Sequence, residues 1–196
     1  MEKKLKYQSI AISGKPGVGR TTLLNNLKKV LAPLGWKFFS GGEWSRQYAI
    51  EYGLHDPNDQ KHHLATVYDE KIDYQIDIAP REKLETEEKY VVESWIAGFN
   101  MRGLPQVLKI LLICDDALRV DRIVNRDMVT VEEAKEYIKN REKANLKKWA
   151  KLYQVSKTDF WDPKYYDLVI NTYSHAPTET LDIVLQALGY YKNNHG

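Results

Sequence analysis

The chain has 196 residues, 29 Lys plus Arg against 27 Asp plus Glu, a formal net charge of +2 and a single cysteine, Cys114. That length suits one α/β domain with a sizeable core, and the near balance of charge argues against a broad nucleic-acid footprint. One cysteine excludes a disulfide framework within the chain, the apolar runs are too short to span a bilayer, and Met1-Glu2-Lys3-Lys4 lacks the apolar stretch of a signal peptide, so a soluble cytoplasmic protein with no membrane partner is expected.

In chain order, Tyr7-Gln8-Ser9-Ile10-Ala11-Ile12-Ser13 reads as a strand, and Leu23, Leu24, Leu27, Val30 and Leu31 recur at helical spacing soon after it. Between them lies Gly14-Lys15-Pro16-Gly17-Val18-Gly19-Arg20-Thr21-Thr22, a phosphate-binding loop with arginine at the position where the pattern asks for lysine. The glycines allow a tight wrap whose backbone N–H groups converge on phosphate oxygens, and the following helix directs its positive dipole end at the same anion. Thr21, with water and a carboxylate at a strand end such as Glu93, is expected to meet a magnesium ion, and Arg20 and Lys15 are the cations expected to compete for the phosphates. Arginine keeps the charge of lysine without its compact ammonium geometry.

Trp36-Lys37-Phe38-Phe39 supplies a second strand, after which Gly41-Gly42 reads as a flexible lead-in and Glu43 to Tyr52 as a short helix stopped by Gly53. Arg46 lies near the start of that helix, just past a strand end, within reach of a second anion. Pro57 to about Lys83 reads as a longer helix on which Asp69, Asp73 and Asp77 lie four apart, a spacing that repels unless cations or polar ligand groups face it. Tyr90-Val91-Val92, Val107 to Ile113 and Asp167-Leu168-Val169-Ile170 complete a set of five strands separated by helices, the pattern of a parallel sheet covered on both faces. Ligands in such sheets gather at the carboxyl ends of the strands. Cys114 falls in an apolar run and reads as core. His62 and His63 point about 100° apart on a helix and the remaining histidines are isolated, so a structural metal site is not expected.

Beyond the strongest strand, Arg119, Arg122 and Arg126 form one helical stripe. Asp115 can offset Arg119 at i, i+4, which leaves Arg122 and Arg126 for polyphosphate contact. Thr130-Val131-Glu132-Glu133 is a capping box that opens a polar helix running to about Tyr153. Its few apolar positions suggest a weakly anchored, movable lid, with Arg141 placed to close over phosphates.

Taken together, Ile12 to Thr22, Ser40-Gly41-Gly42-Glu43-Trp44-Ser45-Arg46, Ile72-Asp73, Val91-Val92-Glu93-Ser94, Arg122 to Arg126, Arg141-Glu142 and Tyr166 to Thr172 resemble the nucleoside monophosphate kinases, and most nearly the short archaeal-type cytidylate kinases. The resemblance covers nearly all of residues 7–189. It implies a three-layer α/β P-loop NTPase fold with a five-stranded parallel sheet, in one domain over 1–196, with small helical insertions for the acceptor (about 41–88) and the lid (about 126–151). Residues 190–196 are expected to be a disordered tail.

The resemblance further implies ATP-dependent phosphoryl transfer with magnesium to a nucleoside monophosphate, CMP or dCMP favoured, by a monomer or dimer with no stable nucleic-acid partner. It gives Arg46 the acceptor phosphate, with Asp73, Glu93 and Trp95 nearby. Arg122, Arg126 and Arg141 would serve the donor and the migrating group, and Asn171 and Thr172 would lie near the donor base. Trp95 stands where the family has an arginine, so it reads either as a stacking surface or as core at a strand end. Two other readings stay open: a kinase for another small-molecule acceptor, and a non-catalytic nucleotide-binding protein.

Overall fold

The computed structural model describes residues 5–54, 72 and 74–191. Alternation along the first strand, β1 (Ser9–Ser13), decides the layering, because successive side chains of a strand point to opposite faces. Ile10 and Ile12 enter one buried apolar cluster, together with Leu24 and Leu27 of α1 (Arg20–Leu31) and Val184 and Leu188 of α7 (Pro177–Leu188). Ala11, between them, enters a second cluster with Leu84 of α3 (Ala79–Thr86) and Ala97 of the short α4 (Ala97–Asn100). Strands β2 (Lys37–Ser40), β3 (Tyr90–Glu93), β4 (Val107–Ile113) and β5 (Leu168–Asn171) complete a wholly parallel sheet in the order β2-β3-β1-β4-β5. The five strands and the covering of both faces are those expected from the sequence, with ends shifted by one or two residues.

Register brings the carboxyl ends of three strands level. Ser40 pairs with Glu93 across β2 and β3, and Glu93 with Ile12 across β3 and β1. Polar side chains at these ends therefore meet at one edge of the sheet, beside the glycine loop. That loop leaves β1 and enters α1 at Gly19, whose backbone is left-handed at φ 95.

Helix α2 (Gly41–Glu51) starts two residues earlier than the sequence suggests. Gly41-Gly42 is its first turn and not a flexible lead-in, because the Ser40 hydroxyl caps it by accepting from the Glu43 N–H at 3.2 Å. Gly41 is required for close packing, since a Cβ there would lie 2.8 Å from Ile76 Cγ2. Of the long helix expected from Pro57 to about Lys83, residues 57–71 and 73 lie outside the described residues, and with them Asp69 and Asp73. The described part consists of a wide helical turn (Tyr74–Ile78) leading into α3, and it buries Asp77. His55, His62 and His63 also lie outside the described residues. The tail expected over 190–196 is corrected at its start, where Tyr190 packs against the main core and donates its N–H to Leu185 O at 2.9 Å, and the residues from Lys192 lie outside the described residues.

Helices α5 (Asp116–Asp127) and α6 (Val131–Tyr153) follow β4 and are joined through the expected capping box: Thr130 Oγ1 accepts from the Glu133 N–H at 3.2 Å and the Glu133 carboxylate accepts from the Thr130 N–H at 2.8 Å. The polar composition of α6 suggested weak anchoring, and the structure corrects this. Leu146, Trp149 and Tyr153 fall at i, i+3 and i+7 and pack into an aromatic cluster with Trp95, Phe99, Phe160 and Trp161. Trp149 is 6% exposed and meets Trp95 edge-on at 5.6 Å. Few apolar positions suffice here because aromatic side chains each bury a large area. Cys114 is half-buried against the main core, and burial pushes its thiol pKa up.

Trp149→Ala is expected to cost about 3–5 kcal/mol, the usual range for emptying a buried aromatic site. Urea unfolding followed by circular dichroism measures it.

Candidate active site

Two glycines let the loop wrap closely. A Cβ at Gly14 would lie 2.6 Å from the Leu112 carbonyl oxygen of β4, and one at Gly17, at φ +84, would lie 2.8 Å from the Arg119 carbonyl oxygen of α5. Backbone thus packs on backbone at both points. The start of α1 has no side-chain cap and no acidic residue in its first turn, so its positive end remains available to an anion.

That end opens into a cleft of about 730 Å3 that passes along the carboxyl edge of the sheet. Its floor is formed by Pro16, Gly17 and Gly19 to Thr22. Thr172, His175 and Pro177 line it beyond β5, and Ser40, Gly42, Glu43 and Arg46 line it beyond β2. Arg122, Arg126, Asp127 and Arg141 come from α5 and α6, and Glu93 and Trp95 from β3 and the turn after it. Gly14, Lys15, Val18 and Asn171, which the sequence also pointed to, do not line the cleft, and Asp73 lies outside the described residues.

The cations do not share one environment. Arg20 is directed toward the end of β3, where its Nη1 forms an ion pair with Glu93 Oε1 while the Ser40 hydroxyl donates to Oε2 of the same carboxylate at 2.8 Å. Burial lowers the Arg20 pKa, Arg141 and Arg126 lower it further, and Glu93 opposes them. Lys15 sits with its Nζ 3.3 Å from Glu142 of α6 and 5.1 Å from the Trp161 ring centroid, so its ammonium is engaged by α6 and does not line the cleft. Arg126 forms a two-pronged pair with Asp127 at 2.6 and 2.8 Å.

Arg122 donates to neutral oxygens: Gly17 O at 3.1 Å, Thr172 Oγ1 at 2.9 Å and Thr172 O at 3.0 Å. Arg141 donates to the Tyr137 hydroxyl and lies 5.1 Å from the centroid of Trp95, and its Nε is buried without an acceptor. Among the described residues, Arg122 and Arg141 therefore line the cleft with their charges offset by no carboxylate in hydrogen-bond contact.

The expected pairing of Arg119 with Asp115 is replaced by another. Arg119, 2% exposed, donates from Nε to Pro16 O at 2.8 Å, from Nη1 to Asp116 Oδ1 at 2.6 Å and from Nη2 to Glu142. Asp115 contributes only its backbone carbonyl, which accepts from the Arg119 N–H at 3.1 Å. The three arginines of the stripe thus separate, with Arg119 buried under the loop, Arg122 at its edge and Arg126 toward solvent. The sequence did not single out Glu142 as the acceptor for both Arg119 and Lys15, nor Ser40 as the partner of Glu93. Ser40 carries a signal in retrospect, since a serine before Gly-Gly at a strand end is an N-cap candidate.

Trp95 is packed as core and also lines the cleft. It is 9% exposed and packed on Trp149 and Trp161, and its carbonyl oxygen accepts from Gly14 N at 3.1 Å and from Trp161 Nε1 at 3.0 Å. The same ring supports Arg141 at the edge of the cleft.

The sheet order and glycine loop define the class as a three-layer P-loop kinase fold. A gluconokinase from Sinorhizobium meliloti superposes with TM-score 0.56 at 12% identity, covering 95% of this chain and 94% of that one. A shikimate kinase from Acinetobacter baumannii superposes with TM-score 0.52 at 16% identity, covering 96% of each chain. More narrowly, the pattern of the cytidylate kinase-like family matches residues 9–174, and the chain belongs to that family. The cytidylate kinase of Thermococcus kodakarensis is 34% identical over 183 residues, covering 92% of this chain and 88% of that one.

Arg119→Ala and Glu142→Ala are each expected to destabilise the protein by about 1–3 kcal/mol, the first because it removes the tie to Pro16 and Glu142, the second because it takes one acceptor from a buried guanidinium. The double variant is expected to fall short of the sum by about 1–3 kcal/mol, read from urea unfolding of all four proteins.

Proposed function

We propose that the protein transfers the terminal phosphoryl group of ATP to a nucleoside monophosphate, with CMP and dCMP favoured. The observation that carries this reading is one continuous cleft that runs from Thr172 and His175, past the uncapped start of α1, to Arg46, with arginines from four helices along it. A nucleotide donor fits one end and an anionic acceptor the other. The family membership supports the same reading.

Phosphoryl transfer asks for positioning and charge neutralisation more than for covalent chemistry. The backbone N–H groups of Gly17 to Thr22 and the dipole of α1 cradle the donor phosphates. Arg122, which also bonds Thr172, holds the donor side of the cleft and joins the loop to the end of β5. Arg141 is carried by α6 and supported by Trp95, so charge developing on the migrating group meets a cation held in place before the ligand arrives. Arg46 takes the acceptor phosphate. An acceptor that is already a phosphate needs no general base.

Magnesium fits this donor set through few protein ligands. Thr21 offers a hydroxyl at the cleft, whereas Glu93 is engaged by Arg20 and Ser40 and Asp127 by Arg126. Among the described residues no cluster of three metal-ligating side chains occurs. That pattern suits an ion held mainly by phosphate oxygens and water, with Thr21 as the protein ligand. When bound, magnesium neutralises charge on the donor's terminal phosphates.

A coupled assay of ADP release over CMP, dCMP, UMP, AMP and GMP tests the reading. Turnover is expected with CMP and dCMP above the others, and ATP binding without turnover on any of them contradicts it. In the same assay Arg46→Ala is expected to raise the acceptor KM by roughly 10-fold or more with the ATP KM unchanged, the size of a lost charge-assisted contact.

A further inference from the structure

Arg20 occupies the place in the loop from which a cation ordinarily reaches the donor's phosphates, yet its side chain is held elsewhere. Three elements fix it. It rises from the first turn of α1, Glu93 at the end of β3 takes its Nη1, and Ser40 at the end of β2 holds the second oxygen of that carboxylate at 2.8 Å. Register keeps Ser40 and Glu93 side by side, so the carboxylate is oriented from both sides before any ligand arrives. Both residues line the cleft on the side of Gly42, Glu43 and Arg46, opposite Thr172 and His175.

We propose that Glu93 is a positioning residue that holds the Arg20 guanidinium on the acceptor side of the cleft, making Arg20 a contact to the acceptor's anionic group in place of a ligand of the donor's phosphates. Arginine is suited to this because a guanidinium carries five N–H donors in a planar fork. One nitrogen is committed to Glu93 and the others remain for a second anion. A lysine ammonium at the same position is a point charge on a flexible stem, and it cannot hold a carboxylate on one edge and present a planar fork on the other. Arg141 and Arg126 lie close enough to weigh on Arg20 electrostatically, and Glu93 is the carboxylate that offsets them at Arg20. This inference rests on the nucleotide-donor reading above and assigns the middle of the same cleft.

Equilibrium titration calorimetry with ATP and CMP separately, on the unaltered protein and on Arg20→Lys, Glu93→Gln and Ser40→Ala, tests it. Arg20→Lys is expected to weaken CMP binding roughly 10-fold and to leave ATP binding within about 2-fold, as expected for loss of one charge-assisted contact. Glu93→Gln separates positioning from charge. If Glu93 only neutralises positive potential, its removal tightens both ligands, whereas a positioning role weakens CMP and leaves ATP unchanged or tighter. Ser40→Ala is expected to follow Glu93→Gln at smaller size, and it serves if the Gln variant unfolds.

Loss of ATP affinity in Arg20→Lys with CMP unaffected overturns the proposal, as does tightening of both ligands in Glu93→Gln. Failure of the wider functional reading looks different, because the unaltered protein then binds ATP but neither CMP nor any other nucleoside monophosphate. In that case the ATP arm alone reads the donor half of the assignment: a fall in ATP affinity in Arg20→Lys overturns it, and an unchanged affinity keeps Arg20 off the donor's phosphates.

Discussion

The fold depends on how closely the loop after β1 can approach the backbone of its neighbours. Gly14 lies against Leu112 of β4 and Gly17 against Arg119 of α5, at separations no side chain could share. Once the loop is seated there, Arg119 fastens it from beneath through Pro16 and extends the tie to Glu142 of α6. A buried arginine with neutral and charged acceptors on every side is costly to desolvate and is retained only with its partners in place. The loop, α5 and α6 therefore behave as one connected unit.

This connection bears on α6. A polar helix with isolated apolar residues reads as mobile, but α6 is fastened at its far half by Trp149 and Tyr153 and at its middle by Glu142. Arg141 is the neighbour of that anchored residue and rests on Trp95. Its position is set by packing on Trp95 and the hydrogen bond to Tyr137. The aromatic cluster thus joins architecture to chemistry, since the side chain that fills a structural gap at the end of β3 also supports a cation at the cleft.

Much of this was legible in the chain itself. The strands announced themselves as short apolar runs, the loop as a glycine pattern between strand and helix, and the Thr130 to Glu133 cap as a spacing. These are local signals, each contained within about ten residues. What could not be read were the pairings between distant segments: Arg20 with Glu93, Arg119 with Glu142 and Pro16, Lys15 with Glu142 and Trp161. Charge spacing along one helix suggested Asp115 for Arg119, because sequence shows only neighbours on the same element. The packing of Trp95 on Trp149 and Trp161 joins three distant segments and was likewise hidden in the sequence.

The central claim is that a single cleft accepts a nucleotide at each end, with the phosphate cradle between them. A bisubstrate compound that joins adenosine to cytidine through a chain of five phosphates spans such a site, and its binding by calorimetry tests the claim most directly. Occupying both ends at once is expected to make it bind about 100-fold or more tighter than ATP or CMP alone, as linked ligands do when geometry permits. Binding no tighter than that of ATP would contradict the account, because the acceptor end would then not belong to the same site.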